Sequence, residues 1–314
     1  MKDRLDALRR LVGFGSAAEP AVDNINRLGD RIASVAVQTQ QQHELLMAQL
    51  ETQYNQLSNQ LKQHSEELVA AKRHFDSAIK KETLNATRQV EAFINLQALW
   101  NETDILPPMH GWPVSPDLAV MLIELMEAEQ YDLIIEFGSG SSTLLMARLL
   151  RRLKKCQNQS DVIPELLTFE HLPEYHGKTQ SLLQRSGVSE FVNLNLSPLI
   201  VYKNVDGGEY KYYDCDAALC VASQKINNPG AKILLFVDGP PAGTGPLARY
   251  PALPMVMKYF KTHELHVLLD DYIRQDEKDI AKAWQENMKQ ADRRYIHTEV
   301  ALEKGASLLR IARC

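Results

Sequence analysis

Between Asp30 and Asp104 the chain has neither glycine nor proline, and Gln, Glu, Lys, Leu and Ala dominate. Such a run favours helix throughout, because nothing in it removes an amide hydrogen or loosens the backbone. Apolar residues recur at alternating spacings of three and four: Ile25, Leu28, Ile32 and Val35, then Met47, Leu50, Tyr54, Leu57, Leu61, Leu68 and Phe75. That is a heptad seam, and a seam needs a second helix to cover it. It fails across Thr39, Gln40, Gln41, Gln42 and His43 and resumes about one residue out of register, so the coil is expected to be interrupted or to fold back there. Further slots carry His64, Ala71 and Ala78. A continuous rod of these 75 residues would reach roughly 110 Å. A parallel homodimer and an antiparallel hairpin within one chain fit the pattern equally, as do a spacer and a docking arm. Further upstream, Leu5, Leu8, Leu11 and Val12 suggest a short amphipathic helix packed on protein.

The pattern changes at Ile105. LPPMHGWPVSPDL concentrates proline and glycine, and a domain boundary is expected there, separating a helical arm (1–104) from a second domain (105–314). Ser115-Pro116-Asp117 starts a helix well, with a hydroxyl at the cap and proline in the first turn. Beyond it, apolar runs of strand length alternate with helical patterns, as in a parallel sheet with crossover helices. The expected strands are Leu133 to Phe137, Leu166 to Phe169, Phe191 to Leu196, Ile233 to Val237 and Leu265 to Leu269, closed by an antiparallel pair, Tyr295 to Val300 and Ser307 to Ile311.

A net charge of −5 over 314 residues removes the broad basic field on which nucleic-acid binders rely. Cys156, Cys215, Cys220 and Cys314 form no CxxC pair and no zinc-spaced cluster, which suits reduced thiols in a cytoplasmic protein. The first residues lack the apolar core of a signal peptide, and no stretch approaches the ~18 apolar residues of a membrane span.

In a doubly wound sheet, ligands lie beyond the carboxyl ends of the strands. Those ends are acidic here: Glu136, Glu170, Asp238 and the pair Asp270-Asp271. After Glu136 comes Gly138-Ser139-Gly140-Ser141-Ser142, a loop that lets the backbone approach a ligand before a helix N-terminus. Thr143 stands where a dinucleotide fingerprint has its third glycine, and no Gly-Lys-Ser/Thr follows, which excludes a phosphate P-loop. A carboxylate directly before the first glycine repels a diphosphate and suits a cation. S-adenosylmethionine carries an ammonium and a sulfonium on a nucleoside. Glu136 is placed to serve its aminoacyl end and Glu170 its ribose hydroxyls, the plainer alternative being internal salt bridges.

The blocks GWPVSPDL, IIEFGSGSSTLL, TFEH, YYD, FVDGPPAGTGPLARYPALP, LLDDYIRQDE and EKGASLLRI, spread from Leu106 to Arg313, resemble a bacterial subgroup of the class I S-adenosylmethionine-dependent methyltransferases. The resemblance does not cover the arm. It implies an α/β Rossmann-like sheet of order 3-2-1-4-5-7-6, and cofactor contacts at Glu136, Gly138, Gly140 and Glu170. Ser139, Ser142, His171, Ser197 and Asp238 are further candidates for that site. Ser142 departs from a third glycine found in many class I enzymes.

Methyl transfer to a hydroxyl needs alignment and a group that takes the proton. Asp238 and Asp271 are the catalytic candidates. Asp238, Asp270 and Asp271 also fill the positions of metal-dependent O-methyltransferases of sugars and catechols, which suggests Mg²⁺. The alternative has the Asp270-Asp271 pair capping a helix or pairing with Arg274, and Asp238 shaping the Pro240-Pro241 turn. Asp238-Gly-Pro-Pro differs from the Asn-Pro-Pro-Tyr loop of enzymes that methylate nucleic-acid amines, which favours oxygen. Tyr212, Tyr213 and Arg249 are weaker candidates for touching substrate, and His110 and Trp112 for closing over the cofactor. The expectation is a methyltransferase acting on a sugar or similar small hydroxylated metabolite, oligomeric through its arm. The alternatives are a coiled-coil scaffold with a catalytically silent domain, and a nicotinamide oxidoreductase.

Overall fold

The computed structural model describes residues 18–97, 114–156, 163–204, 207–226, 228 and 230–313. The upstream amphipathic segment, the expected boundary at 104/105, His110, Trp112 and Cys314 lie outside them. By its contacts the chain divides into two units, Met1–Lys81 and Glu82–Cys314.

The first element, α1, is one uninterrupted helix, Ala18–Gln97. The break or fold-back expected at Thr39 to His43 is absent, because glutamine disturbs a hydrophobic seam while remaining a good helix former. Seam register and helix continuity are separate properties. Every described side chain from Pro20 to Leu84 is exposed, including Leu57 at 57% and Leu68 at 70%.

In the second unit, the last turns of α1 contribute Ala92 and fully buried Leu96 to a core. Then follow α2 (Pro116–Ala128), β1 (Leu133–Phe137), α3 (Ser141–Cys156), β2 (Glu165–Glu170), α4 (Pro173–Arg185) and β3 (Val192–Leu196). A hairpin, β4 (Leu199–Lys203) and β5 (Glu209–Tyr213), precedes α5 (Asp216–Lys225), β6 (Lys232–Val237) and α6 (Ala252–Phe260). The unit closes with β7 (Glu264–Leu269), α7 (Gln275–Gln290), β8 (Tyr295–Val300) and β9 (Ala306–Ile311).

The main sheet has the order β3-β2-β1-β6-β7-β9-β8, parallel except at β9, which runs antiparallel to both β7 and β8. With the hairpin left out of the count this is 3-2-1-4-5-7-6, the expected Rossmann-like order. Strand alternation sends successive side chains to opposite layers. Ile135, Phe137, Leu235 and Val267 pack with Leu219, Leu253, Val256, Ile280 and Trp284 of α5, α6 and α7. Ile134, Leu234, Phe236 and Leu268 pack with Leu118, Leu122, Met146, Leu150 and Leu183 of α2, α3 and α4. Each fully buried leucine contributes about 1.5–3 kcal/mol, so both helical layers are anchored independently.

The expected strands all form, within a residue of their expected ends. The aromatic stretch around Tyr202 and Tyr210, with a glycine pair between them and none of the long apolar runs of the other strands, forms the β4-β5 hairpin, a separate two-stranded sheet. Its tyrosines pack inward: Tyr210 against Tyr250 at 5.1 Å between ring centres, with Asn204 donating to the Tyr250 hydroxyl. Among the described residues no helix is long and apolar enough to cross a membrane.

Candidate active site

The candidate site lies where β1, β2, β6 and β7 end. Register places Phe137 beside Phe169 and Val237, and Val237 beside Leu269, so the four following loops open at one level. The Gly138 amide donates to the Phe169 carbonyl and the Asp238 amide to the Phe137 carbonyl, which ties the loops together.

The two loop glycines serve different needs. Gly138 has φ of 100°, and a Cβ there would lie 3.3 Å from the main chain of Asp238 and Gly239, so it permits a close crossing of loops. Gly140 has φ of 150° with nothing within 4 Å of a notional Cβ, so its backbone faces open space. The first turn of α3, at Ser141, follows directly. Free amides at a helix start accept an anionic group such as a carboxylate.

Glu136 does not line that space. It is fully buried: Oε1 accepts from Ser142 Oγ at 2.5 Å, and Oε2 from Thr143 Oγ1 at 2.7 Å and Thr168 Oγ1 at 2.9 Å. Thr143 in turn accepts from the Gly140 amide at 3.0 Å. Glu136 and Ser142, expected as direct cofactor contacts, therefore brace the glycine loop from beneath. Alternation explains this, since Glu136 shares a face with Ile134, towards α3. Burial pushes its carboxyl up to about 7, against the pull of the three hydroxyls. Thr143 and Thr168 were not anticipated; three hydroxyls reachable from one buried acid were the available signal.

Glu170, at the end of β2, sits beside the loop. Its Oε1 accepts the amides of His171 at 2.8 Å and Leu172 at 2.9 Å, and its Oε2 accepts from Ser139 Oγ at 3.0 Å. Ser139 also bonds Thr179. His171 Nδ1 lies 3.1 Å from Glu170 Oε1, and its ring meets Tyr213 edge-on. The Ser197 amide donates to the Glu170 carbonyl at 2.7 Å, bringing the residue after β3 to the same rim.

Tyr212 and Tyr213, expected at the substrate, are buried against Phe137, Tyr213 stacked on its ring and Tyr212 edge-on to it. A hairpin strand feeding into α5 has to bury its last side chains, and a Cβ at Gly239 would overlap the Tyr213 hydroxyl.

Asp238, Asp270 and Asp271 do converge, with one carboxylate atom from each within 4.8 Å of the others. Asp238 keeps 24% of its side chain exposed, whereas Asp270 and Asp271 are buried. Burial and the neighbouring Asp270 hold the Asp238 carboxyl well above the usual range, against Arg249. Burial and Asp271 raise Asp270 to about 6. Asp271, expected to be catalytic, instead has its Oδ2 engaged by two arginines, Arg249 Nη2 at 2.9 Å and Arg274 Nη1 at 2.8 Å. Arg249, expected to meet substrate, is only 4% exposed and lies inside the cluster.

The donor set is of the kind a hard divalent ion takes. As arranged, however, Nη2 of Arg249 spans the gap, 2.9 Å from Asp271 Oδ2 and 3.4 Å from Asp238 Oδ1, and Asp270 Oδ1 accepts the Asp271 amide. The carboxylates as they stand do not fit the magnesium ion expected from the sequence, because a side chain already supplies the positive charge.

No protein-family model and no curated protein matches the chain. Among solved structures, it is similar to the O-methyltransferase TomG of Streptomyces achromogenes, involved in tomaymycin synthesis and solved with SAM. The identity is 14% over 74% of this chain and 96% of that one, with a TM-score of 0.45. An O-methyltransferase from Bacillus cereus, in complex with SAH, is 14% identical over 72% of this chain and 91% of that one, with a TM-score of 0.44. The SAH-bound methyltransferase PaMTH1 of Podospora anserina is 15% identical over 71% and 87%, with a TM-score of 0.43. At this identity and overlap the likeness says nothing of side chains.

Proposed function

We propose that the chain is an S-adenosylmethionine-dependent methyltransferase acting on a hydroxyl of a small metabolite, a carbohydrate being the class that suits it best. The observation that carries this reading is the convergence, at one end of a 3-2-1-4-5-7-6 sheet, of an open glycine loop, a helix start, Glu170 and a part-exposed Asp238. In this reading the amides at the start of α3 take the carboxylate of the donor's amino-acid part, the glycine loop giving the backbone room to approach it. Glu170 takes the ribose hydroxyls, with Ser139, His171 and Ser197 around it. Asp238 takes the proton from the acceptor oxygen as it attacks the methyl carbon in line with the sulfonium. A carboxyl lifted by burial is better matched to that role than an ordinary one. A neutral polyol suits a rim whose open acceptor is a carboxylate, whereas an anion does not.

The remaining assignments follow from the same reading. Residues 105–314 carry the catalytic site on a core completed by the last turns of α1, and the exposed stretch of that helix before them is the arm, whose seam is covered by a second copy of the chain. The free thiols Cys215 and Cys220 suit the cytoplasm. A scaffold with a silent domain is a second reading, favoured by that same seam.

Calorimetry with S-adenosylmethionine, S-adenosylhomocysteine and NAD separates them. The first two are expected to bind and NAD not. A Glu170→Ala variant that stays folded by circular dichroism is expected to bind the homocysteine product roughly tenfold more weakly, equivalent to ~1.4 kcal/mol. Binding of NAD alone would overturn the reading, and binding of none would leave the scaffold.

A further inference from the structure

Four carboxylates, Asp238, Asp270, Asp271 and Glu277, surround the ends of β6 and β7, and such a group is unstable unless positive charge lies among them. Arg249 provides it in an unusually constrained way. Its Nη2 donates to Asp271 Oδ2 and to the main-chain oxygen of Asp238, both at 2.9 Å. Nη1 donates to the main-chain oxygen of Asp270 at 3.1 Å and lies 3.7 Å from Glu277 Oε1, while Nε reaches the Pro240 carbonyl at 3.4 Å. Every nitrogen of the planar fork is engaged, and its partners come from the β6 loop, the β7 loop and α7.

The three carbonyl contacts are the informative ones. A surface arginine pairs with carboxylates and swings freely, but this guanidinium is fixed in orientation by backbone on both sides of the gap. A divalent ion bridging the same carboxylates needs oxygens at ~2.0–2.6 Å, and would place its charge against a guanidinium held by three main-chain oxygens.

We infer that Arg249 is the built-in counter-ion of this site, taking the place of a divalent cation among Asp238, Asp270 and Asp271. It is a positioning residue: it ties the β6 and β7 loops together and holds Asp238 beside Asp270 and Asp271. Its bearing on methyl transfer rests on the function proposed above; its occupation of the cation position does not.

Manganese titrated into the full chain, followed by the electron paramagnetic resonance of the free ion, tests this. Wild-type protein is expected to leave the free-ion signal unchanged up to millimolar metal, and to bind S-adenosylhomocysteine equally with chelator or with Mg²⁺. Arg249→Met is expected to gain one manganese site that a second change, Asp271→Asn, removes, while Arg249→Lys stays metal-free. Stoichiometric uptake by wild type that Asp271→Asn abolishes would overturn the inference, as would a folded Arg249→Met variant that takes up no manganese. Should Arg249→Met fail to fold by circular dichroism, the wild-type and Asp271→Asn titrations decide alone. Absence of homocysteine-product binding with the manganese results as expected would sink the methyltransferase reading and leave the counter-ion standing.

Discussion

A carboxyl with three hydroxyl partners and no exposure makes Glu136 expensive to ionise, and that cost is readable as a pH dependence. Its folded value of about 7 lies above that of an unfolded glutamate, so between roughly pH 4.5 and 7 the folded chain binds more protons. The stabilising contribution is therefore complete at low pH and lost as pH rises through 7. Urea unfolding of Glu136→Gln and wild type at pH 5 and pH 8 should differ in their pH response by up to about 3 kcal/mol, with the wild type losing more on going to pH 8. An equal response in both would contradict the buried, hydroxyl-held carboxyl. The importance of Glu136 was legible from its place before a glycine, but its direction was not. Position at a strand end is written in the sequence, whereas which layer the side chain enters depends on the alternation of the folded strand. Arg249 was harder still, because its partners are 9 to 28 residues away along the chain and become neighbours only once β6 and β7 pair.

At the scale of elements, strands buried on both faces announce themselves. LIIEF and KILLFV are continuous apolar runs because helices cover both sides. The β4-β5 hairpin has one covered face, mixed residues and a glycine pair at the turn, so its pattern resembles that of a loop. In α1 the sequence pattern and the structure inform different questions. Helix propensity dictated the continuous rod, and the seam's lapse at Thr39 to His43 bears only on how a partner packs. If the seam is covered by a second copy, the double variant Leu57→Asp, Leu61→Asp places four buried charges in one dimer. Light scattering should then show the oligomer mass falling to that of a single chain, with helix content by circular dichroism reduced. A wild-type chain that already scatters as a monomer would remove the arm's self-associating role.

Across the whole molecule, the expected domain boundary and the contact-defined one differ by more than twenty residues, and the difference has a physical content. The final turns of α1 bury Leu96 in one core cluster with Leu118 and Leu122, Phe93 packs against it, and the Gln89 side chain accepts the Asp117 amide. A chain beginning at Glu82 should therefore keep the thermal stability of the second unit. One beginning at Ile105 should lose on the order of 2–5 kcal/mol, as when a buried leucine is emptied from a core. Equal melting temperatures for the two would show that these turns contribute nothing. The change in composition at Ile105 marks where prolines cluster, and proline marks a connection without saying which side of it the core begins.

The central strand β1 pairs with β2 and with β6, Leu133 standing beside Ile233 a hundred residues downstream. During synthesis the middle of this sheet must wait for its far neighbour, and such long-range closure is slow. The exposed stretch of helix α1 up to Leu84 relies on contacts four residues apart and emerges before the sheet. If a second copy covers the seam, two ribosomes on one messenger each present a finished helix before either sheet closes, and the chains pair while still being made, with both copies drawn from the same message.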